Sequence, residues 1–322
     1  MIPGDMMKQN NEQLPNQSPR WGIVVLVLLL LAFISLISSL VIGLFLSTSD
    51  ITEAGNVAHI SVSGAIVSEA QNGWMSSEYA QSTDIVELIE KANENPEVVA
   101  ILLEINSPGG TAVASYEIAD AVKKSNKTTV AWVREAGASG AYWVASASDH
   151  IVANPLSVTG SIGVIGSYVE FSGTLTRYNA SYQRLVSGEH KDMGSPLRKL
   201  TTDEEEIMQE NLDVIRDYFV SEVAKNRKLS KENVSKMADG RFYLGKQAFD
   251  LGLVDELGGK EEALAWIEKK EGITAEVAEY ETPLTFAEML FGVLSNQGFS
   301  VGEGMGKAIV ESRMNEGVSV RT

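Results

Sequence analysis

The sequence predicts an α/β fold built on a largely parallel sheet, preceded by a single transmembrane helix. Three observations carry this expectation: one uncharged apolar run near the N-terminus, an alternation of strand-length apolar runs with helical patterns after it, and two glycine-rich turns that each join a strand to a helix. An order of strand, helix, strand, helix calls for crossover units, and crossovers make parallel pairs. The 322 residues, 44% hydrophobic and 21% charged, have the composition of a folded protein rather than a disordered one.

From Trp21 to Leu46 the chain reads WGIVVLVLLLLAFISLISSLVIGLFL without a charged residue. At about 1.5 Å per residue this crosses a hydrocarbon core of about 30 Å. A cleavable signal peptide has a shorter apolar core, roughly 7–15 residues, so an uncleaved anchor is expected despite the small residues Ser47 and Ser49. Lys8 and Arg20 precede the run, partly offset by Asp5 and Glu12, and Ser47-Thr48-Ser49-Asp50 follows it. The positive-inside bias then leaves the N-terminus in the cytoplasm and everything after Leu46 outside the cytoplasmic membrane. Residues 1–20, rich in Asn, Gln and Pro, read as a disordered cytoplasmic tail, and residues 47–56 as a connector.

Beyond the connector, His59 to Val67 reads as a strand, and Ile85, Leu88, Ile89 and Ala92 follow the spacing of a half-buried helix stopped by Asn95-Pro96. Val98 to Ile105 (VVAILLEI) is almost continuously aliphatic, as a strand covered on both faces must be. The turn Asn106-Ser107-Pro108-Gly109-Gly110 leads into a helix with Ala114, Ile118, Ala121 and Val122 on one face. Thr128 to Val133 is the next strand, followed by Gly137-Ala138-Ser139-Gly140 and a helix of small residues to about Ser148; Asp149-His150-Ile151-Val152 opens another strand, and Tyr182 to Val186 a further one. A long helix from Thr202 is expected, with Thr202 and Glu205 as its capping box and Met208, Leu212, Ile215, Phe219 and Val223 on its buried face. One domain, residues 57–273, accounts for this pattern. Residues 274–322 read as a partly flexible extension with an amphipathic helix at Thr285–Leu294 and a Gly-rich tail.

Composition excludes several classes. Lys plus Arg number 26 against 43 Asp plus Glu, a net charge of -17, which repels polyphosphate and argues against nucleic-acid binding. The absence of Cys removes disulfides, thiolate metal sites and a Cys nucleophile, and three histidines make a multi-His metal site improbable; no metal or cofactor is expected.

Chemistry in a parallel sheet gathers outside the carboxyl ends of strands, where both glycine-rich turns lie. In the first, backbone N–H groups at Gly109 and Gly110 can approach a negative oxygen unobstructed. In the second, Ser139 stands with Gly or Ala on either side, like a nucleophile elbow, although Ala141 occupies the place where the hydrolase pattern has glycine. Either turn alone is more often a packing corner than a site. A serine nucleophile also needs a base. His59 and His150 lie in or at the start of strands and read as structural, His190 precedes Lys191 in a turn, and a lysine can serve if its pKa falls from about 10.4 to about 7–8. The Ser-x-x-Lys spacing is not met, because Tyr142 is three residues past Ser139. Composition and periodicity do not select the base among the lysines.

Five segments in order, NSPGG (106–110), GASGAYWVAS (137–146), NPLSVTGSIGVI (154–165), GEHKDMGSP (188–196) and ADGRFYLGKQAFDLGLVDELGG (238–259), together resemble the signal peptide peptidase A family, in its short bacterial form, within peptidase family S49. The likeness spans about residues 57 to 270. It implies a Clp/crotonase-like fold of repeated ββα units. It also implies a Ser–Lys dyad with Ser139 as nucleophile, Lys191 as general base and Ser161 orienting the lysine. Backbone N–H groups of Gly110 and Gly140 would form the oxyanion hole, with Gly109 shaping its turn. The implied substrates are signal-peptide remnants in the membrane, and the implied assembly is a homo-oligomer, an octameric ring whose dyads combine residues from neighbouring protomers. Two other readings predict different chemistry: a crotonase-type acyl-CoA enzyme, which needs a basic pocket and a cytoplasmic site, and a catalytically silent membrane scaffold.

Overall fold

A computed structural model of the chain describes residues 21–47, 55–69 and 79–282. The expected N-terminal tail, most of the connector, the helix expected at Thr285–Leu294 and the Gly-rich tail lie outside the described residues. The chain divides into two units, Met1–Glu53 and Ala54–Thr322.

In the first unit, α1 (Trp21–Ser47) is apolar around its whole circumference. Its stretch Trp21–Ser39 has a mean hydropathy of 2.8 and no residue buried against protein. A helix apolar on every side finds no favourable place in water, and its 27 residues reach about 40 Å, so it is compatible with a single-pass membrane anchor.

In the second unit the elements follow in order: β1 (Val57–Ser63), β2 (Ala65–Val67), β3 (Tyr79–Gln81), α2 (Ser82–Glu94), β4 (Ala100–Ser107), α3 (Ala112–Lys124), β5 (Thr128–Ala138), α4 (Gly140–Ser146), β6 (His150–Ala153) and β7 (Val158–Gly160). After them come α5 (Ser172–Arg177), α6 (Thr202–Asn226), α7 (Lys231–Met237), β8 (Phe242–Leu244), α8 (Gly245–Asp250), β9 (Glu256–Leu257), α9 (Lys260–Glu271) and β10 (Val277–Tyr280). The main sheet runs β10-β1-β4-β5-β6-β9 with every pair along that path parallel; β7 pairs with the end of β5 and, antiparallel, with β8. Strands β2 and β3 form a small separate sheet.

The continuous apolar run in β4 has the expected cause. Ile101, Leu103 and Ile105 pack on one face with Ile85 and Ile89 of α2 and Ile118 of α3. Ala100 and Leu102 pack on the other with Val130, Val152 and Ile267 of α9. Every one of these side chains is removed from water, and a fully buried Ile or Leu contributes about 1.5–3 kcal/mol over an exposed one.

The structure departs from the sequence reading at five places. The single strand expected over His59–Val67 is broken at Gly64, whose φ of 80° turns the chain out of the main sheet into β2. Tyr182–Val186 is not a strand: it is exposed chain without regular structure, and among the described residues no strand pairs with it. The capping box is Thr201 with Glu204, one residue earlier than expected; Thr201 Oγ1 accepts from the Glu204 N–H at 3.2 Å and Glu204 Oε2 accepts from the Thr201 N–H at 3.0 Å. The buried apolar residues of α6 are confined to its second half, at Phe219, Val220, Val223 and Ala224, whereas Met208, Leu212 and Ile215 are half-exposed. Finally, the sheet runs past the boundary expected at residue 273, since β10 pairs with β1 from Val57↔Val277 to Ile60↔Tyr280.

Candidate active site

Strand β4 delivers the first turn. Ser107 is buried, and its Oγ accepts the Gly109 N–H at 3.0 Å, closing a local turn. The Ile66 N–H then donates to the Gly109 carbonyl and the Thr111 N–H to the Ile66 carbonyl, both at 2.9 Å, so β2 holds the turn from outside. That pairing uses the flanking residues and leaves the Gly110 N–H out of it. Both glycines are obligatory: a Cβ on Gly110 would lie 1.9 Å from the Ile66 carbonyl oxygen, and one on Gly109, where φ is 97°, would lie 2.9 Å from the Ser139 Cβ.

Strand β5 delivers the second turn. It runs to Ala138, further than the apolar pattern showed, and Ser139 then adopts φ 53° and ψ −125° before α4 begins. A non-glycine residue there costs on the order of 1–3 kcal/mol, which the surroundings must offset. The Ser139 N–H donates to the Gly160 carbonyl at 2.8 Å, the Trp143 N–H to the Ser139 carbonyl at 3.0 Å, and Thr159 Oγ1 to the Gly137 carbonyl at 2.8 Å. Every residue of α4 is buried, and Trp143 stacks on Phe219 of α6 at 4.7 Å. A Cβ on Gly140 would lie 2.1 Å from Ser115 Oγ and 3.3 Å from the Gly110 nitrogen, so the backbones of the two turns approach closely next to Ser139. A half-buried serine on a strained strand-to-helix corner, beside a glycine turn of close backbone approach, is an arrangement that suits acyl transfer.

Ser161 follows the same logic. Gly160 pairs with Ala138, so Ser139 and Ser161 leave adjacent strands at the same level, and Ser161 also has a positive φ, 50°. Its N–H donates to the Arg241 carbonyl at 2.9 Å and its Oγ to the Gly240 carbonyl at 3.2 Å. The structure thus brings Ser139, Ser161, Gly109, Gly110 and Gly140 together. Lys191 stands differently: it is exposed on a turn where its N–H donates to the Gly188 carbonyl at 3.2 Å, and among the described residues no hydrogen bond joins it to Ser139 or Ser161. His190 is beside Asp203 at 3.6 Å. His59 is held between Glu104 and Glu279, and His150 stacks on Trp266 and bonds Glu256, consistent with structural roles.

Sequence reasoning missed the supporting shell. Ser107, two residues before a turn glycine, carried a readable signal as a side-chain acceptor. Ser115 and Thr159 carried none, because their contacts come from elsewhere in the chain. Beside the Lys191 turn, hydrogen bonds from Arg198 and then Arg184 hold the Asp192 carboxyl well below its usual range. Arg198 and the Thr201 N–H lower Glu204 to about 2. Behind Ser139, burial pushes the Tyr142 phenol up, its hydroxyl donating to the Leu253 carbonyl at 2.9 Å.

The geometry defines a class, α/β proteins equipped for serine-based acyl transfer. Comparison with known proteins narrows it. The family model described as Peptidase family S49 matches residues 121–274. A protein of Enterococcus faecium named as a signal peptide peptidase SppA is 36% identical over 77% of this chain and 76% of its own length. A protein of Methanocaldococcus jannaschii named as a protease is 35% identical over 70% of this chain and 72% of its own. Protease 4 of Haemophilus influenzae is 33% identical over 65% of this chain but only 34% of its own length. The chain belongs to peptidase family S49, serine proteases with a Clp/crotonase-like fold.

Proposed function

We propose that this chain is a membrane-anchored serine endopeptidase in which Ser139 is the nucleophile and Lys191 the general base, with Ser161 orienting the lysine. The observation that carries the reading is Ser139 itself, fixed at φ 53° between β5 and a fully buried α4 with the Gly110 and Gly140 amides beside it. Ser139 Oγ attacks the scissile carbonyl while the neutral Lys191 amine accepts its proton, and the tetrahedral oxyanion takes hydrogen bonds from Gly110 and Gly140. Lys191 then protonates the departing amine; neutral again, it takes a proton from the water that attacks the acyl carbonyl and returns that proton to Ser139 Oγ as the acyl chain leaves as a carboxylic acid. Gly109 keeps the turn open. The protease names of the relatives favour peptide hydrolysis over acyl-CoA chemistry.

Within one chain Lys191 is exposed and unattached to Ser139, which favours a dyad completed between protomers. The segment around it exposes apolar side chains that isolated water-soluble surfaces avoid, Ile165 at 89%, Val169 at 65% and Leu185 at 96%. A closed homo-oligomer, an octameric ring, would cover them. The α1 anchor, with Arg20 and Lys8 on the cytoplasmic side, would hold such a ring against the outer face of the cytoplasmic membrane, where signal-peptide remnants are released. The test is peptide hydrolysis by the detergent-solubilised full chain against Ser139→Ala and Lys191→Ala at equal oligomeric state. Loss of turnover in both supports the reading, activity in Lys191→Ala moves the base elsewhere with His190 next, and an inactive parent with intact assembly favours a scaffold.

A further inference from the structure

The turn that carries Lys191 has almost no secondary structure to hold it. Over residues 178–200 the chain forms only bends and turns and is largely exposed. A base must nevertheless be kept within about 0.5 Å of its working position, and ordering each free residue costs about 1–2 kcal/mol. Something other than a helix or a strand has to supply the order.

The next residue supplies it. Arg198 Nε donates to Asp192 Oδ2 and Arg198 Nη2 to Asp192 Oδ1, each at 2.9 Å; from the other side Arg184 Nε reaches Oδ1 at 3.0 Å and Oδ2 at 2.9 Å. The Arg198 guanidinium also grips Glu204, with Nη1 to Oε2 at 2.7 Å and Nη2 to Oε1 at 2.6 Å. Glu204 belongs to the first turn of α6 and closes its capping box. In an otherwise exposed segment, the Asp192 and Glu204 side chains are only 13% and 3% exposed. Two carboxylates face two guanidiniums, so the cluster adds no net charge next to an amine that must become neutral. The chain of contacts continues inward: α6 carries Phe219, which stacks on Trp143, which bonds the Ser139 carbonyl.

We infer that Arg198, with Asp192, Glu204 and Arg184, is a positioning device for Lys191, tying the turn that carries the base to α6 and through it to the packed body of the same chain. The inference rests on the reading of Lys191 as base. These residues touch no reacting atom; they act by fixing the backbone one residue from the lysine. Geometric displacement of a catalytic group by about 1 Å can cost about 10²-fold in rate, so Arg198→Ala should lower kcat by about tenfold to a hundredfold with KM within about twofold.

The decisive measurement is the rate at which a fluorophosphonate labels Ser139 in the full-length assembled protein. Arg198→Ala should slow labelling in the parent background and leave it unchanged in a Lys191→Ala background, because a device that works through Lys191 has nothing to position once the amine is gone. A further drop in the double variant, or parent-like labelling in Arg198→Ala alone, overturns the inference. Parent-like labelling in Lys191→Ala overturns the assignment of the base, a separate outcome that removes the inference with it. Should Arg198→Ala fail to fold, Arg184→Gln, which removes only the more exposed guanidinium, goes through the same cycle with a smaller expected loss and the same overturning results.

Discussion

The turn bearing Ser139 and the turn bearing Lys191 are built by opposite means. Ser139 sits on strained backbone, locked by glycines that tolerate no Cβ and by a helix buried along its whole length. Lys191 sits on exposed chain, ordered by side-chain ion pairs one residue away. Under the proposed dyad, one half of the chemistry is built inside a single chain and the other is presented outward on an exposed turn. The difference teaches that, with Ser139 and Lys191 in the proposed roles, the nucleophile is set by backbone packing and its activation by side-chain ion pairs and assembly.

The largest effect that tests this contrast is complementation. Ser139→Ala and Lys191→Ala, each expected to lower turnover by about 10⁴-fold or more, should regain activity when dissociated and reassembled together, as measured by peptide hydrolysis. A dyad confined to one chain would stay silent. Next comes Gly140→Ala. In an exposed helix, alanine for glycine stabilises by up to about 1 kcal/mol, but here its Cβ meets Ser115 Oγ, so the oxyanion amide moves and kcat should fall by about 10²-fold or more; adding Ser115→Gly should restore part of it, and no recovery would mean that the collision is not the cause.

A third prediction concerns acid. The folded pKa values of Asp192 and Glu204 lie below their ordinary values of 3.8 and 4.5. Their contribution to order is therefore complete above about pH 5, shrinks as the pH falls past those ordinary values, and is gone once both are protonated, near or below about pH 2. Amide hydrogens over residues 192–198 should lose protection from exchange in that window while β4 keeps its own, and parallel loss in both regions would deny the Lys191 turn its separate means of support. The smallest effect is the helix cap: Thr201→Ala should lower stability by about 0.5–2 kcal/mol whereas Thr202→Ala should barely register, both read by denaturant unfolding.

The same contrast explains what was legible in the sequence. β4 could be read because burial on both faces writes an unbroken apolar run, and the two turns because only glycine fits their close approaches. The strain at Ser139 left no mark, since a serine in that conformation is spelled like any other. Tyr182–Val186 has the residues of a strand but no strand partner among the described residues, and its apolar side chains are exposed instead. The run Thr201-Thr202-Asp203-Glu204-Glu205 offers two capping boxes one residue apart, and Arg198 favours the first by holding Glu204. The Asp192 cluster was invisible because irregular chain has no periodicity from which to infer partners. β10 was passed over because its pattern alternates with Glu279 in a strand only four residues long.

That last strand has a consequence for how the molecule is made. β1 is synthesised early, but the partner on its outer edge, β10, lies 220 residues later, as the pair His59 and Glu279 shows. At about 5–20 residues per second, a ribosome takes on the order of 10–40 s to cover that distance. Throughout that interval the newborn chain carries an open sheet edge, a surface on which other extended segments can pair. β1 gains that partner only when nearly all of the described chain has emerged, so a translation product that stops before Val277 would leave this edge of β1 unpaired.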